Sequence, residues 1–182
     1  MKWIAGIILG WLLLLAGAAL YFGMGSFNIA ASDPPGRFEE ALARLALNRS
    51  IARRAPLARN PVEPTVEVLG AGLSHYRENC LGCHGAPGVD AAEYGQGLNP
   101  AAPDLTLVRV QKRSDGQLYW IVANGLRMTG MPAFSPTHKP EEIWKIVAFL
   151  RHLPELTPAE EQELKDVMER AARHHAEEAR PK

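Results

Sequence analysis

The chain begins with a long apolar run. Residues 3–22 (WIAGIILGWLLLLAGAALYF) contain no charged side chain, and Tyr21 and Phe22 close the run where an interfacial aromatic belt would lie. At about 1.5 Å per residue, a helix of this length crosses the roughly 30 Å hydrocarbon core of a bilayer. A cleaved signal peptide is the competing interpretation, because the small residues at 16–19 permit a cleavage site. The apolar run is longer than the apolar core of a typical signal peptide, which favours an uncleaved helix. The pattern therefore predicts a transmembrane anchor, or an uncleaved signal, over residues 1–25.

Two other patterns follow the anchor. Phe38, Leu42 and Leu45 recur at helical spacing, and residues 37–55 carry five arginines against two glutamates. Such a basic amphipathic helix could bind anionic headgroups or a partner subunit. An equally good interpretation is a solvated helix that only spaces the domain from the bilayer. Residues 56–65 (PLARNPVEPT) contain three prolines, which cannot donate to a helix interior, so they predict an extended linker and a domain boundary.

Three helices are predicted next, separated by loops rich in glycine and proline. They are VEVLGAGLSHYRENC (66–80), SDGQLYWIVANG (114–125) and PEEIWKIVAFLRHL (140–153). Ser114 or Asp115 would cap the second helix, which ends before Gly125, and Pro140 lies in the first turn of the third. Strand signals are few, so the fold class is all-α. A helical domain this short buries little apolar area, which predicts that a cofactor fills its core.

The last part of the chain predicts one charged, exposed helix over residues 158–180. Acidic and basic side chains pair at i,i+4 spacing, as at Glu169 and Arg173. Leu164, Val167 and Met168 make one side of this helix partly apolar.

Charge changes this picture only at the anchor. The chain has 20 acidic and 20 basic residues, so no charge excess favours a nucleic acid partner. Lys2 precedes the apolar run, and the next basic residue is Arg37. The positive-inside rule therefore predicts that the chain after the anchor lies outside the cytoplasm, in an oxidising compartment.

The only two cysteines lie in the motif CLGCH, residues 80–84. Residues three apart on one helical turn point to the same side, so both thiols can add to the two vinyl groups of one porphyrin. His84 then binds the iron. A zinc site lacks a second pair of ligands, and a thioredoxin-like pair lacks its βαβ context. The motif therefore predicts covalent attachment of one haem c through Cys80 and Cys83.

A second axial ligand completes a six-coordinate iron. Met131, in TGMPAF, is the predicted ligand because Gly130 permits close approach of the backbone and Pro132 excludes helix. The alternatives are Met128, His75 and His138.

These motifs resemble a class I c-type cytochrome, in the membrane-anchored monohaem form found in bacteria. The resemblance rests on CLGCHG, APDL (102–105), GMPAF (130–134) and IWKIVAFLRHL (143–153), which occur in the family's order. It implies that Pro103 offers its carbonyl to the ring N–H of His84. The first and last helices of the haem domain would cross near Gly72, Tyr76, Ile146 and Phe149. Residues expected near the ring or its propionates are Trp120, Leu126, Arg127 and Phe134.

Four segments result from this interpretation. They are the anchor (1–25), the basic helix with its proline-rich linker (26–65), the cytochrome c haem domain (66–155) and the charged C-terminal helix (156–182).

The predicted function is one-electron transfer, without catalysis, because histidine and methionine ligation leaves no open position at the iron. The protein would be a single-pass protein of the bacterial inner membrane, with the haem domain in the periplasm. It would serve as a mobile carrier or as a fixed haem subunit of a respiratory complex. Its partners would be membrane lipid and a dehydrogenase or oxidase. The alternative is a five-coordinate haem enzyme or gas-binding sensor with an open distal side.

Overall fold

The structure is a computed structural model that describes residues 2–178, apart from the side chains of residues 175, 176 and 178. The ends of the predicted anchor and tail, Met1 and residues 179–182, lie outside the described residues. The chain divides into two compact units, residues 1–34 and 35–182. In the first unit, α1 (Lys2–Gly23) is long and apolar enough to cross a membrane, and all its side chains are exposed. This helix fits the predicted single-pass anchor.

The second unit is helical, and no strand occurs between residues 35 and 178. Its helices are α2 (Arg37–Arg54), α3 (Val66–Asn79), α4 (Leu81–His84), α5 (Glu93–Gln96), α6 (Val108–Gln111), α7 (Asp115–Asn124), α8 (Pro140–His152), a 3₁₀ turn (Leu153–Glu155) and α9 (Pro158–Glu178). The predicted all-α fold is confirmed.

The centre of this unit is the crossing of α3 and α8. A Cβ atom at Gly72 would lie 2.6 Å from both the Lys145 carbonyl oxygen and the Phe149 Cβ, so the two backbones meet where α3 has no side chain. Tyr76 and Phe149 are fully buried beside this point, with their ring centroids 5.3 Å apart. The crossing therefore involves the residues that the resemblance implied.

Local signals account for the ends of α7. The Ser114 hydroxyl accepts a hydrogen bond from the Gln117 N–H, and the Gln117 side chain accepts one from the Ser114 N–H. This reciprocal pair satisfies two N–H groups that have no partner inside the helix. At the other end, Gly125 has φ +62°, a left-handed conformation that glycine adopts without strain.

The proline-rich segment 56–65, predicted as an extended linker and domain boundary, contacts two of the helices that follow it. The Asn60 N–H donates to the Asp115 carboxylate at 3.0 Å, and the Asn60 amide donates to the Trp144 carbonyl at 2.9 Å. The Arg151 guanidinium donates to the same carboxylate at 2.9 Å. Asn60 thus joins the segment to both α7 and α8.

The C-terminal helix, predicted to be charged, exposed and partly apolar on one side, buries that apolar side. Leu164 is completely buried and belongs to the main apolar core, and Val167 and Met168 pack against that core. Glu163 forms an ion pair with Arg77 of α3 at 2.7 Å. The predicted Glu169–Arg173 pair is present at 3.4 Å. The described part of α9 is therefore exposed on one side only.

Asp115→Asn should weaken the attachment of segment 56–65 in a pH-dependent way. Desolvation acts to raise the pKa of Asp115, but the Asn60 N–H and the Arg151 guanidinium outweigh it and hold that pKa below its ordinary value of 3.8. A lowered carboxylate pKa stabilises the folded state above pH 3.8, and the stabilisation disappears as pH falls through the lowered value. Near neutral pH, the free energy of unfolding of the variant should be about 1–2 kcal/mol lower than that of wild type. In strong acid the two proteins should become equally stable.

Denaturant unfolding of the full-length protein in mild detergent, followed by far-ultraviolet circular dichroism, measures this difference. Asp90→Asn, at an exposed loop position, is the control and should change nothing. Equal stabilities of wild type and Asp115→Asn near neutral pH would contradict the assigned contact.

Candidate haem site

The cysteine motif lies at the junction of α3 and α4. The Cys80 N–H donates to the Tyr76 carbonyl, and the Cys83 and His84 N–H groups donate to the Cys80 carbonyl at 3.1 and 2.9 Å. The motif is thus one helical turn, as its spacing predicted. The two thiols form no disulfide with each other. Burial, and secondarily the neighbouring Cys83, raises the pKa of the Cys80 thiol to about 12, so this sulfur remains protonated in the chain alone.

A buried tyrosine holds the turn that follows the motif. Gly85 has φ +62° and ends α4, and its carbonyl accepts a hydrogen bond from the Tyr76 hydroxyl. Burial raises the pKa of Tyr76 far above its usual range, which keeps the hydroxyl protonated as a donor. Tyr76 therefore links the crossing of α3 and α8 to the backbone next to His84.

His84 is oriented by a backbone carbonyl. Its Nδ1 lies 2.8 Å from the Pro103 carbonyl oxygen, the contact implied by the resemblance. Because a carbonyl only accepts, Nδ1 carries the proton and Nε2 keeps its lone pair. Burial lowers the pKa of His84, against the smaller opposite effect of this hydrogen bond. The ring is therefore neutral and can bind a metal through Nε2.

The two methionines near residue 130 have different surroundings. Met131 is half-buried and packs against the main core, which includes Leu81 and Phe134. Its N–H donates to the Thr129 hydroxyl at 3.1 Å, and its carbonyl accepts from the Leu126 N–H at 3.2 Å. Met128 is 90% exposed and has a positive φ of 60°. Of these two methionines, only Met131 packs against the core that contains Leu81 of the cysteine turn.

The remaining ligand candidates form a separate pair. The rings of His75 and His138 lie 5.1 Å apart, and His138 also packs edge-on against Phe134 at 5.2 Å. Of the residues expected around the ring, Phe134 is buried, Trp120 and Leu126 are half-buried, and Arg127 is exposed.

Sequence reasoning missed α5, which packs directly on the cysteine motif. A Cβ atom at Gly95 would lie 2.4 Å from the Gly82 carbonyl oxygen and 2.9 Å from the Cys83 Cα. A Cβ atom at Gly82 would overlap the Tyr94 hydroxyl. Four residues are too few for a periodic pattern, so the segment was predicted as loop. The two glycines were the available signal, since close backbone approach requires them.

Residues 68–150 match the family model described as cytochrome c oxidase, cbb3-type, subunit III. This segment is a class I c-type cytochrome. The cytochrome carries covalently bound haem c and acts in electron transfer with redox partners. No curated protein matches the chain.

The donor set of the cytochrome domain fits haem c. Two thiols lie on one turn, and a neutral imidazole with an available Nε2 follows them. A half-buried thioether and the apolar side chains of Leu81 and Phe134 belong to the same core. Groups of these kinds would attach haem c covalently, ligate its iron and surround it with apolar side chains.

Proposed function

We propose that Cys80 and Cys83 hold the haem through thioether bonds and that His84 and Met131 are its axial ligands. The contact between His84 Nδ1 and the Pro103 carbonyl carries this proposal, because it leaves Nε2 as the metal-binding atom. The different burial of Met131 and Met128 supports the choice of methionine.

These residues suit a one-electron carrier. Haem c, when bound, supplies the one-electron redox chemistry of its iron. The Pro103 carbonyl holds His84 in one orientation, and Tyr76 fixes the turn beyond it. The orientation of the imidazole should therefore be the same in the oxidised and reduced states. Phe134 and Leu81 exclude water from the core. A thioether favours the reduced iron, so the reduction potential should be high among c-type cytochromes.

We further propose that the domain is tethered by α1 to the bacterial inner membrane, faces the periplasm and serves as a haem subunit of a respiratory complex. The attachment of segment 56–65 supports a fixed subunit, because the arginine-rich α2 and the cytochrome then form one unit. The description of the matching family, a subunit of an oxidase, agrees with this role. The unit boundary after Pro34 favours a second candidate, a tethered mobile carrier.

Purification from native membranes in mild detergent distinguishes these roles. Co-purifying chains should be identified, and covalent haem per chain should be counted on a denaturing gel and by absorbance. We expect one haem per chain, with dehydrogenase or oxidase subunits in fixed stoichiometry. Recovery of the chain alone, after washing at low and at high salt, would contradict the subunit role. It would leave the tethered carrier.

A further inference from the structure

Helix α2 has two apolar surfaces on opposite sides. Ile51 is fully buried, which places its side of the helix against the rest of the unit. Phe38, Leu42 and Leu45 are 82%, 56% and 55% exposed. At about 100° per residue these three lie within an arc of about 60°, and Ile51 lies about 140° away from Phe38. The outer surface, named here the Phe38 stripe, has no partner in the described chain.

Positive charge borders the Phe38 stripe. Arg49 and Arg53 lie within about 60° of the direction of Phe38 on the helix. Along with Arg37, they form no ion pair within the part of the chain that the structure describes. Arg44 is paired with Glu40 in the preceding turn. An apolar surface with unpaired guanidinium groups at its edge is complementary to an anionic lipid surface, where acyl chains adjoin phosphates.

The position of α2 in the chain agrees with such a surface. The 13 residues 24–36 separate α1 from α2, and a chain of that length reaches at most about 45 Å. Three side chains offer roughly a few hundred Å², far less than the ~800 Å² per partner of a stable protein interface. An interfacial helix needs no such area when a transmembrane helix already holds the chain at the membrane.

We infer that the Phe38 stripe lies in the headgroup region of an anionic bilayer, with Arg37, Arg49 and Arg53 against lipid phosphates. This inference rests on the proposed tethering by α1.

The test uses the full-length holoprotein in nanodiscs. One set contains phosphatidylcholine alone, and the other contains phosphatidylcholine with phosphatidylglycerol. Hydrogen exchange by mass spectrometry is measured on peptides from residues 37–49. We expect exchange to be about tenfold slower or more in the anionic discs, and this difference to disappear at high salt. Exchange in α1 and the intact mass report tethering separately, so a lost or cleaved anchor is recognised independently.

Variants separate the apolar and ionic contributions. Leu42→Gln with Leu45→Gln, and Arg49→Gln with Arg53→Gln, should each remove the slowing while the haem spectrum stays unchanged. Arg170→Gln with Arg173→Gln, on the exposed side of α9, removes equal charge elsewhere and should change nothing. Equal exchange in the two lipid mixtures would overturn the inference. Slowing that appears only in native membrane vesicles would assign the stripe to a protein partner and would overturn it too.

Discussion

Met131→Ala should lower the reduction potential by on the order of 0.1 V or more and allow the ferrous protein to bind carbon monoxide rapidly. The thioether favours ferrous iron, so its loss favours the oxidised form. As the proposed axial ligand, Met131 would occupy in wild type the position that carbon monoxide needs. Redox titration followed by absorbance measures the potential, and flow mixing with carbon monoxide measures access to the iron.

Met128→Ala is the matched control because it removes the same side chain three residues away. Met128 is 90% exposed, so its loss should leave both the potential and the carbon monoxide reaction unchanged. A large effect at Met128 with none at Met131 would reverse the ligand assignment. Rapid carbon monoxide binding by wild type would instead support the five-coordinate enzyme or sensor.

Gly72→Ala should reduce the free energy of unfolding by about 2–3 kcal/mol, because the new methyl group has no space. It would lie 2.6 Å from the Lys145 carbonyl oxygen, which belongs to the α8 backbone. The two helices must therefore separate, and the buried contact between Tyr76 and Phe149 loosens. Since Tyr76 also holds the turn after His84, the yield of haem-loaded protein should fall as well.

Gly70→Ala provides the control for helix propensity. It changes the same residue type in the same helix, but no atom lies within 4 Å of its Cβ position. Alanine there should stabilise the protein by up to about 1 kcal/mol. Denaturant unfolding of both variants in full-length protein gives the comparison. Equal effects of the two substitutions would contradict the close crossing of α3 and α8.

The sequence predicted the parts of the fold that depend on neighbouring residues. The spacing of CLGCH predicted a single helical turn, which the structure shows. Ser114 and Gln117 cap the start of α7, and Gly125 ends it. The contact between His84 and Pro103 was predicted from the family resemblance instead, because the two residues are 19 positions apart in the chain and no local pattern connects them.

The attachment of α2 and α9 could not be predicted in this way. Asn60 contacts Asp115 and Trp144, which are 55 and 84 residues away. The stretch has the proline-rich composition of a free linker, but its polar contacts with these distant residues attach it to α7 and α8. Leu164, Val167 and Met168 mark a partly apolar side of α9, but their spacing does not identify the core that covers it. A single polar residue such as Asn60 leaves no periodic signal.

The hydrogen bonds of Asn60 make segment 56–65 a rigid connection between α2 and the cytochrome. A free proline-rich tether would let the haem sample many distances from a donor or acceptor. A rigid connection removes this range of distances, because α2 and the cytochrome move together. A redox centre bound at a given position on α2 then always meets the haem at one tunnelling distance. Since tunnelling slows steeply with distance, the choice of partner depends on where its centre lies, more than on how long it stays bound.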